Sequence, residues 1–208
     1  MTKSRLITAS FIGSVNWYLN CPQNWKQKAY DDLSNQLNRV SWKPTPAIQH
    51  GIEFENTVYE LVRQGSLDLG TPEFRKVLAK CDGGTFQDKL KAFEVIDGET
   101  YCLFGKTDVK FENQIIDIKT TGEFKREKYE NSFQHVLYMY ITGIEFFEYL
   151  VVEWDEFPRI ASVNSVDIEQ DNPKIEYHDR VVDEVRRAMQ FLDERPILKK
   201  AYLEKFCL

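Results

Sequence analysis

No stretch of this 208-residue chain approaches the roughly 18 to 20 consecutive apolar residues that a membrane span requires. The opening "MTKSRLITASFIGS" also lacks the apolar core of a signal peptide. A cytoplasmic protein without a membrane partner is expected, in the host-cell cytoplasm if the chain is of viral origin. Cysteine is scarce and dispersed: Cys21, Cys81, Cys102 and Cys207 form no C-x-x-C pair, which argues against a zinc knuckle and a disulfide framework and leaves reduced thiols. With 10 Gly and 7 Pro and no tract or repeat of either, nothing marks a linker or a disordered segment. Positive charge is short as well: the formal net charge is −6, so there is no global basic footprint of a nucleic-acid binder. That deficit does not exclude one, because an enzyme holding divalent cations concentrates carboxylates and grips phosphates through local cations. Lys125, Arg126 and Lys128 form one such cluster and Arg186 and Arg187 another, with solvated helix faces as the plainer alternative.

What is present suits a single α/β domain. Hydrophobic residues at 42% and aromatics at 13% supply a sizeable core for a chain of this length. A helical N-terminal segment is expected over about 1–45, interrupted at Cys21-Pro22 because proline is poorly tolerated inside a helix, and a core over about 46–208. An amphipathic helix is predicted over Pro46–Arg63 and a short one near Glu73–Lys80. Strands are expected near Leu90–Ile96 and, after an Asp97-Gly98 turn, over Tyr101–Phe104. A helix over about Arg126–Ile141, strands in "FFEYLVVEW" and "RIASVNSVDI", and a closing helix over Tyr177–Glu194 complete a central mixed sheet flanked by helices.

"GKTDVKFENQIIDIK", Gly105 to Lys119, reads as a β-hairpin turning at Glu112-Asn113. That turn sets Phe111 opposite Gln114, Val109 opposite Ile116 and Thr107 opposite Ile118 on one face. Asp108 then falls opposite Asp117, and Lys106 opposite Lys119, on the other. Two aspartates directly opposite repel. The neighbouring lysines, solvent, a shared proton or a divalent cation would offset that repulsion, and the bland alternative is an exposed face with ordinary surface charges. Hard oxygen donors without a Cys or His cluster suit Mg²⁺ or Mn²⁺.

A third acid lies on the predicted helix 46–63. Spacing residues at 100° centres Ile52, Phe54, Val58, Tyr59, Leu61 and Val62 on one side and puts Glu53 and Glu60 on the other. Glu55 falls near the apolar centre, where a carboxylate needs a cation, a hydrogen bond or a metal.

Taken together these residues resemble the PD-(D/E)XK nuclease superfamily, in its RecB-like branch that includes the CRISPR-associated exonucleases. Gly105-x-x-Asp108 followed by Asp117-Ile118-Lys119 matches the central signature. "GIEFE" resembles the helical G-x-x-x-(H/E) motif, with Glu55 where many members carry histidine, and "QHVLY" matches Q-x-x-x-Y through Gln134 and Tyr138. "YLNCPQNW" resembles the Y-x-x-C-P-x-x-(F/Y/W) segment. The matches span 121 of 208 residues. The chain departs from the iron–sulfur members: Cys21 lacks three closely spaced C-terminal partners, so no iron–sulfur cluster is expected and Cys21 reads as a buried structural thiol.

The resemblance implies a restriction-endonuclease-like core and a metal-dependent DNA exonuclease acting in recombination, repair or replication. A junction-resolvase type of endonuclease, or a non-catalytic DNA-binding module on the same fold, are the alternatives. Glu55, Asp108 and Asp117, with the Ile118 carbonyl, would hold one or two Mg²⁺ or Mn²⁺ ions, and Lys119 would stabilise developing charge. Gln134 and Tyr138, one helical turn apart, would contact DNA with Lys125, Arg126 and Lys128; without the family pattern they read as a helix-surface glutamine and a core tyrosine. The implied partner is DNA, as single strands or duplex ends, with a recombination or replication protein as a further candidate.

Overall fold

The computed structural model describes residues 4–41 and 43–207. Strand β1 (Arg5–Thr8) leads into helix α1 (Ala9–Asn20), whose first turn is capped by the Thr8 hydroxyl accepting from the Phe11 amide. Cys21-Pro22 ends α1 as expected, and a 3₁₀ turn (Gln23–Trp25) opens α2 (Lys26–Leu37). Helix α3 (Pro46–Arg63) starts at a Thr45 cap with proline at its first position, the arrangement that preorganises a helix start. Its buried stripe is narrower than the sequence suggests. Phe54 and Val58 are buried, Leu61 and Val62 pack beside them, and Ile52 is exposed, because residues spaced i, i+4, i+7 and i+8 already fill the face. Helix α4 (Pro72–Cys81) packs against α3 through Phe54 and Phe74.

Strands β2 (Thr85–Phe86), β3 (Lys89–Ile96), β4 (Glu99–Lys106) and β5 (Val109–Lys110) form one long antiparallel ribbon. Its turn is Asp97-Gly98, both at positive φ (52° and 82°), as a two-residue hairpin requires. The register runs straight through the ribbon: Lys89 lies opposite Lys106, and Phe86 opposite Val109. Between them the Thr107 amide donates to the Asp88 carbonyl (3.0 Å) and the Gln87 amide to the Asp108 carbonyl (3.2 Å). At this point, with Gln87 at φ 60°, the ribbon passes from one sheet to another. One end joins the three-stranded sheet β1-β4-β3; the other joins β6 (Gln114–Thr121), β7 (Phe146–Glu156) and β8 (Arg159–Glu169) in the order β2-β5-β6-β7-β8. Both sheets are mixed, since β1-β4 and β6-β7 are parallel.

The expected hairpin register holds at Phe111–Gln114, where amide and carbonyl bond at 2.8 Å, and at Val109–Ile116. It stops there: Thr107 and Lys106 pair with Asp88 and Lys89 rather than with Ile118 and Lys119, because the ribbon has bent away with its own partner strand.

The helix expected over 126–141 is two helices, α5 (Arg126–Glu130) and α6 (Phe133–Thr142). Ser132 breaks it by capping the Gln134 amide, a role its short hydroxyl favours over a helix interior. A single turn, α7 (Pro173–Glu176), precedes α8 (His178–Asp193) and α9 (Pro196–Lys205). Alternation along β6 and β7 builds two cores. Ile115, Phe147, Tyr149 and Val151 face α1, α6 and α8, whereas Ile116, Ile118, Leu150 and Val152 face α3 and α4. Phe11, Ile12 and Val15 of α1 lie in the first of these, so the N-terminal segment shares its core with the rest of the chain.

Candidate active site

Asp108 sits at the bend of the ribbon, beside the part of β6 that β5 is too short to cover. Its Oδ2 accepts from the Ile118 amide at 2.8 Å, replacing the missing strand. The N–H and C=O of one strand residue share an edge, so the Ile118 carbonyl is on this edge too. Burial pushes the Asp108 carboxyl well up, Asp117 and Glu55 push it further, and Lys119 opposes them. The expected placement of Asp108 directly opposite Asp117 is not formed, because the Asp108 backbone pairs with Gln87; the two acids still act on one another through the carboxylate that Asp108 extends to β6.

Asp117 is 1% exposed. Gln134 Nε2 donates to its Oδ1 at 2.6 Å, and the Lys119 ammonium stands directly against its Oδ2. The same ammonium is also acted on by Asp108 and Glu55. Glu148, a second buried acid on the neighbouring strand, provides the contrast: it receives Lys80 (2.5 Å), Ser165 (2.6 Å) and Gln114 (3.2 Å) and is fully satisfied. Burial pulls the Lys119 ammonium down, but Asp117, Asp108 and Glu55 outweigh burial and hold it above the ordinary lysine value. It is therefore a cation at neutral pH.

Glu55 is half-buried on α3. Burial pushes its carboxyl up, Lys119 pulls it down, Asp117 pushes it up and Lys106 pulls it down. Helix α3 comes this close because Gly51 has no side chain: a Cβ there would lie 2.9 Å from the Thr120 hydroxyl on β6. The chain thus places three acids and Lys119 in one electrostatic cluster. Among the described residues no three His, Cys, Asp or Glu side chains stand close enough to cage an ion by themselves. The donors nonetheless fit a small hard cation, which keeps several of its waters and needs only one or two carboxylates. Asp108 and Asp117 supply those, with Glu55 acting on the same cluster.

Of the residues matched to Q-x-x-x-Y, Gln134 bonds Asp117 and Tyr138 bonds the backbone of Lys106. Tyr138 is 7% exposed, and its hydroxyl donates to the Lys106 carbonyl (3.1 Å) and accepts from the Lys106 amide (3.4 Å). Part of its ring lies on Gly105: a Cβ at that glycine would sit 2.4 Å from a ring carbon. Lys125 and Arg126 are turned to their own neighbours, Glu123 and Glu130. Lys128 does line a cavity of about 830 Å³ together with Lys119, Gln134 and the rim of Tyr138. The same cavity holds Trp17 and Arg180, which no sequence motif singled out. Cys21 is buried, as expected, and all four cysteines are free thiols. No helix among the described residues is long and apolar enough to cross a membrane.

No protein-family model and no curated protein matches the sequence. Among solved structures, an alkaline exonuclease from Laribacter hongkongensis superposes with a TM-score of 0.52 at 16% identity, over 94% of this chain and 89% of its own. The protein SSO0001 superposes with a TM-score of 0.56 at 10% identity, over 92% of this chain and 78% of its own. At such identities the likeness establishes architecture: this chain has the mixed α/β fold on which an alkaline exonuclease is built.

Proposed function

We propose that the chain is a RecB-like nuclease of the PD-(D/E)XK type, a Mg²⁺- or Mn²⁺-dependent deoxyribonuclease that hydrolyses phosphodiester bonds from DNA ends in recombination, repair or replication. The observation that carries this reading is the Asp117 carboxylate. It is buried with one oxygen fixed by Gln134 and the other against a lysine that Asp108 and Glu55 also act on. Gathering three acids around that one lysine in a buried cluster is costly, and a bound cation would offset that cost. The alkaline exonuclease among the structural neighbours supports attack at ends.

In this reading Asp108 and Asp117, with the Ile118 carbonyl and Glu55 nearby, hold the cation. When bound, the ion supplies charge to polarise the phosphate and to acidify a water. The residues of the chain do the positioning. The Ile118 amide and Gln134 each fix one carboxylate in place. Lys119, kept protonated by the acids around it, places a compact positive charge where a phosphate oxygen gains negative charge. Tyr138 clamps the backbone at Lys106 and so fixes the strand end that carries Asp108.

Purified protein should degrade linear but not closed circular DNA in Mg²⁺ or Mn²⁺ and not in EDTA. Cutting of circles would replace the exonuclease by an endonuclease of the junction-resolvase type. Binding without cutting in either metal would leave a non-catalytic module.

A further inference from the structure

The geometry points to Trp17 as a base-stacking platform that admits unpaired nucleotides, rather than paired ones, to the site; this rests on the nuclease reading given above. Helix α1 forms one wall of the 830 Å³ cavity with Ala9, Ser10, Gly13 and Trp17, residues spaced to share a face. The first three are small, and a Cβ added to Gly13 would meet nothing within 4 Å, so open space lies against the helix. Trp17 closes that wall at 50% exposure, an indole facing space instead of core. Across the cavity stand Lys119 and Gln134.

Charge in the cavity is arranged for a polyanion. Lys125, Arg126, Arg186 and Arg187 each face a carboxylate. Lys128 and Arg180, which line the cavity, make no ion pair with a described residue. The one acid in the lining, Glu184, is compensated by Asn16 (2.9 Å) and Arg187 (3.4 Å). Cations without partners beside an exposed aromatic ring are the two components of a single-strand site: the cations follow the phosphates and the ring stacks a base whatever its sequence. Paired DNA does not satisfy this geometry. In a duplex each base face is covered by its stacked neighbours, so a base that lies on Trp17 has left the duplex, and about 830 Å³ takes only a few such groups. A strand entering here is therefore unpaired, with a base on Trp17, phosphates at Lys128 and Arg180, and the scissile phosphate at Lys119.

Binding of a labelled short single strand and of a blunt duplex in EDTA, followed by anisotropy at fixed salt, tests this without turnover. The wild-type chain should prefer the single strand. Trp17→Ala should weaken that binding by about 5- to 150-fold, the range for loss of one stacked base, while Trp17→Phe retains most of it. Gly13→Leu, which gains helix propensity and grows into open space, should fold normally by circular dichroism and block the strand. In Mg²⁺, Trp17→Ala should raise KM with little change in kcat. Wild-type binding by both Trp17→Ala and Gly13→Leu, or no preference of the wild-type chain for single strands, overturns the proposal. The two readings fail separately. Trp17-dependent binding without cutting in any metal sinks the nuclease and keeps the platform, and cutting with an unchanged KM in Trp17→Ala does the reverse.

Discussion

The Ile118 amide and the Asp108 carboxylate are bonded at 2.8 Å, so one acid of the candidate site is also a substitute for a missing strand. Removing its charge and removing its hydrogen bond are therefore separable. Asp108→Asn keeps an acceptor for the Ile118 amide and deletes the charge. Nuclease activity should fall at least about 100-fold, in the range lost with a single electrostatic group of a catalytic centre. The melting temperature in EDTA should stay level or rise, because a repelling carboxylate has gone. Calorimetric titration with Mg²⁺ should show weakened binding. Asp108→Ala, which also orphans the amide, should melt lower than Asp108→Asn by about 1 kcal/mol.

Lys119 is the countercharge for Asp117, Asp108 and Glu55 together. Lys119→Met keeps the unbranched stem but leaves the acids unopposed. The variant should be inactive and less stable in EDTA by about 3 kcal/mol, the lower end for a broken buried pair because Lys119 is partly exposed, several degrees for a chain of this size. Millimolar Mg²⁺ should restore more melting temperature to Lys119→Met than to the wild type, since the ion replaces the missing charge. Equal Mg²⁺ increments in the two proteins would separate Lys119 from the metal site.

Stability should depend on pH with a sign unusual for acids. Asp108 and Glu55 have folded-state pKa values raised above their unfolded values. Below the unfolded value both states are protonated and no penalty exists. As pH rises past it the unfolded chain ionises first, so stability without metal declines until the folded-state values are passed. His135 acts oppositely. Burial pushes it down to about 4, so its contribution is complete above about pH 6.5 and fades as pH falls toward 4. The two slopes overlap in the wild type. The melting-temperature difference between Asp108→Asn and wild type in EDTA isolates the acids, and it should widen from about pH 4 to pH 7.

Much of this site is legible in the sequence because strands alternate and helices repeat. The turn at Glu112-Asn113 fixes which residues of β5 and β6 face each other, and helical spacing turns Glu55 inward. The bend at Thr107-Asp108 is not legible, since nothing in "GKTDVK" says that Lys106 will prefer Lys89 to Lys119; that choice is made by β3, across the Asp97-Gly98 turn. β1 is four residues long and gains its identity from pairing with β4, so it carries no periodic signal. Trp17 and Arg180 meet Lys119 only after α1 and α8 have packed on the sheet. The Q-x-x-x-Y pattern picks out two residues on one helix face, but their contacts follow from packing: Gln134 reaches Asp117, whereas Tyr138 spends its hydroxyl on backbone.

That last division can be measured through Gly105 and Tyr138. The ring rests where a Cβ of residue 105 would be, 2.4 Å from its nearest carbon, and its hydroxyl bridges the amide and carbonyl of Lys106. Gly105→Ala should push the ring off its seat and cost about 1–3 kcal/mol, as overpacking does. Tyr138→Phe should cost about 1–2 kcal/mol, because it leaves the Lys106 carbonyl and amide short of a partner. Combining Gly105→Ala with Tyr138→Ala should destabilise by less than the sum of the two single changes, since the methyl group then occupies space the ring has vacated. A ring that instead contacted DNA would give additive stabilities, and Tyr138→Phe would weaken single-strand binding without lowering the melting temperature. Chemical denaturation of the four proteins in the cycle, with DNA binding measured on Tyr138→Phe, separates a clamp on Asp108's strand from a nucleic-acid contact.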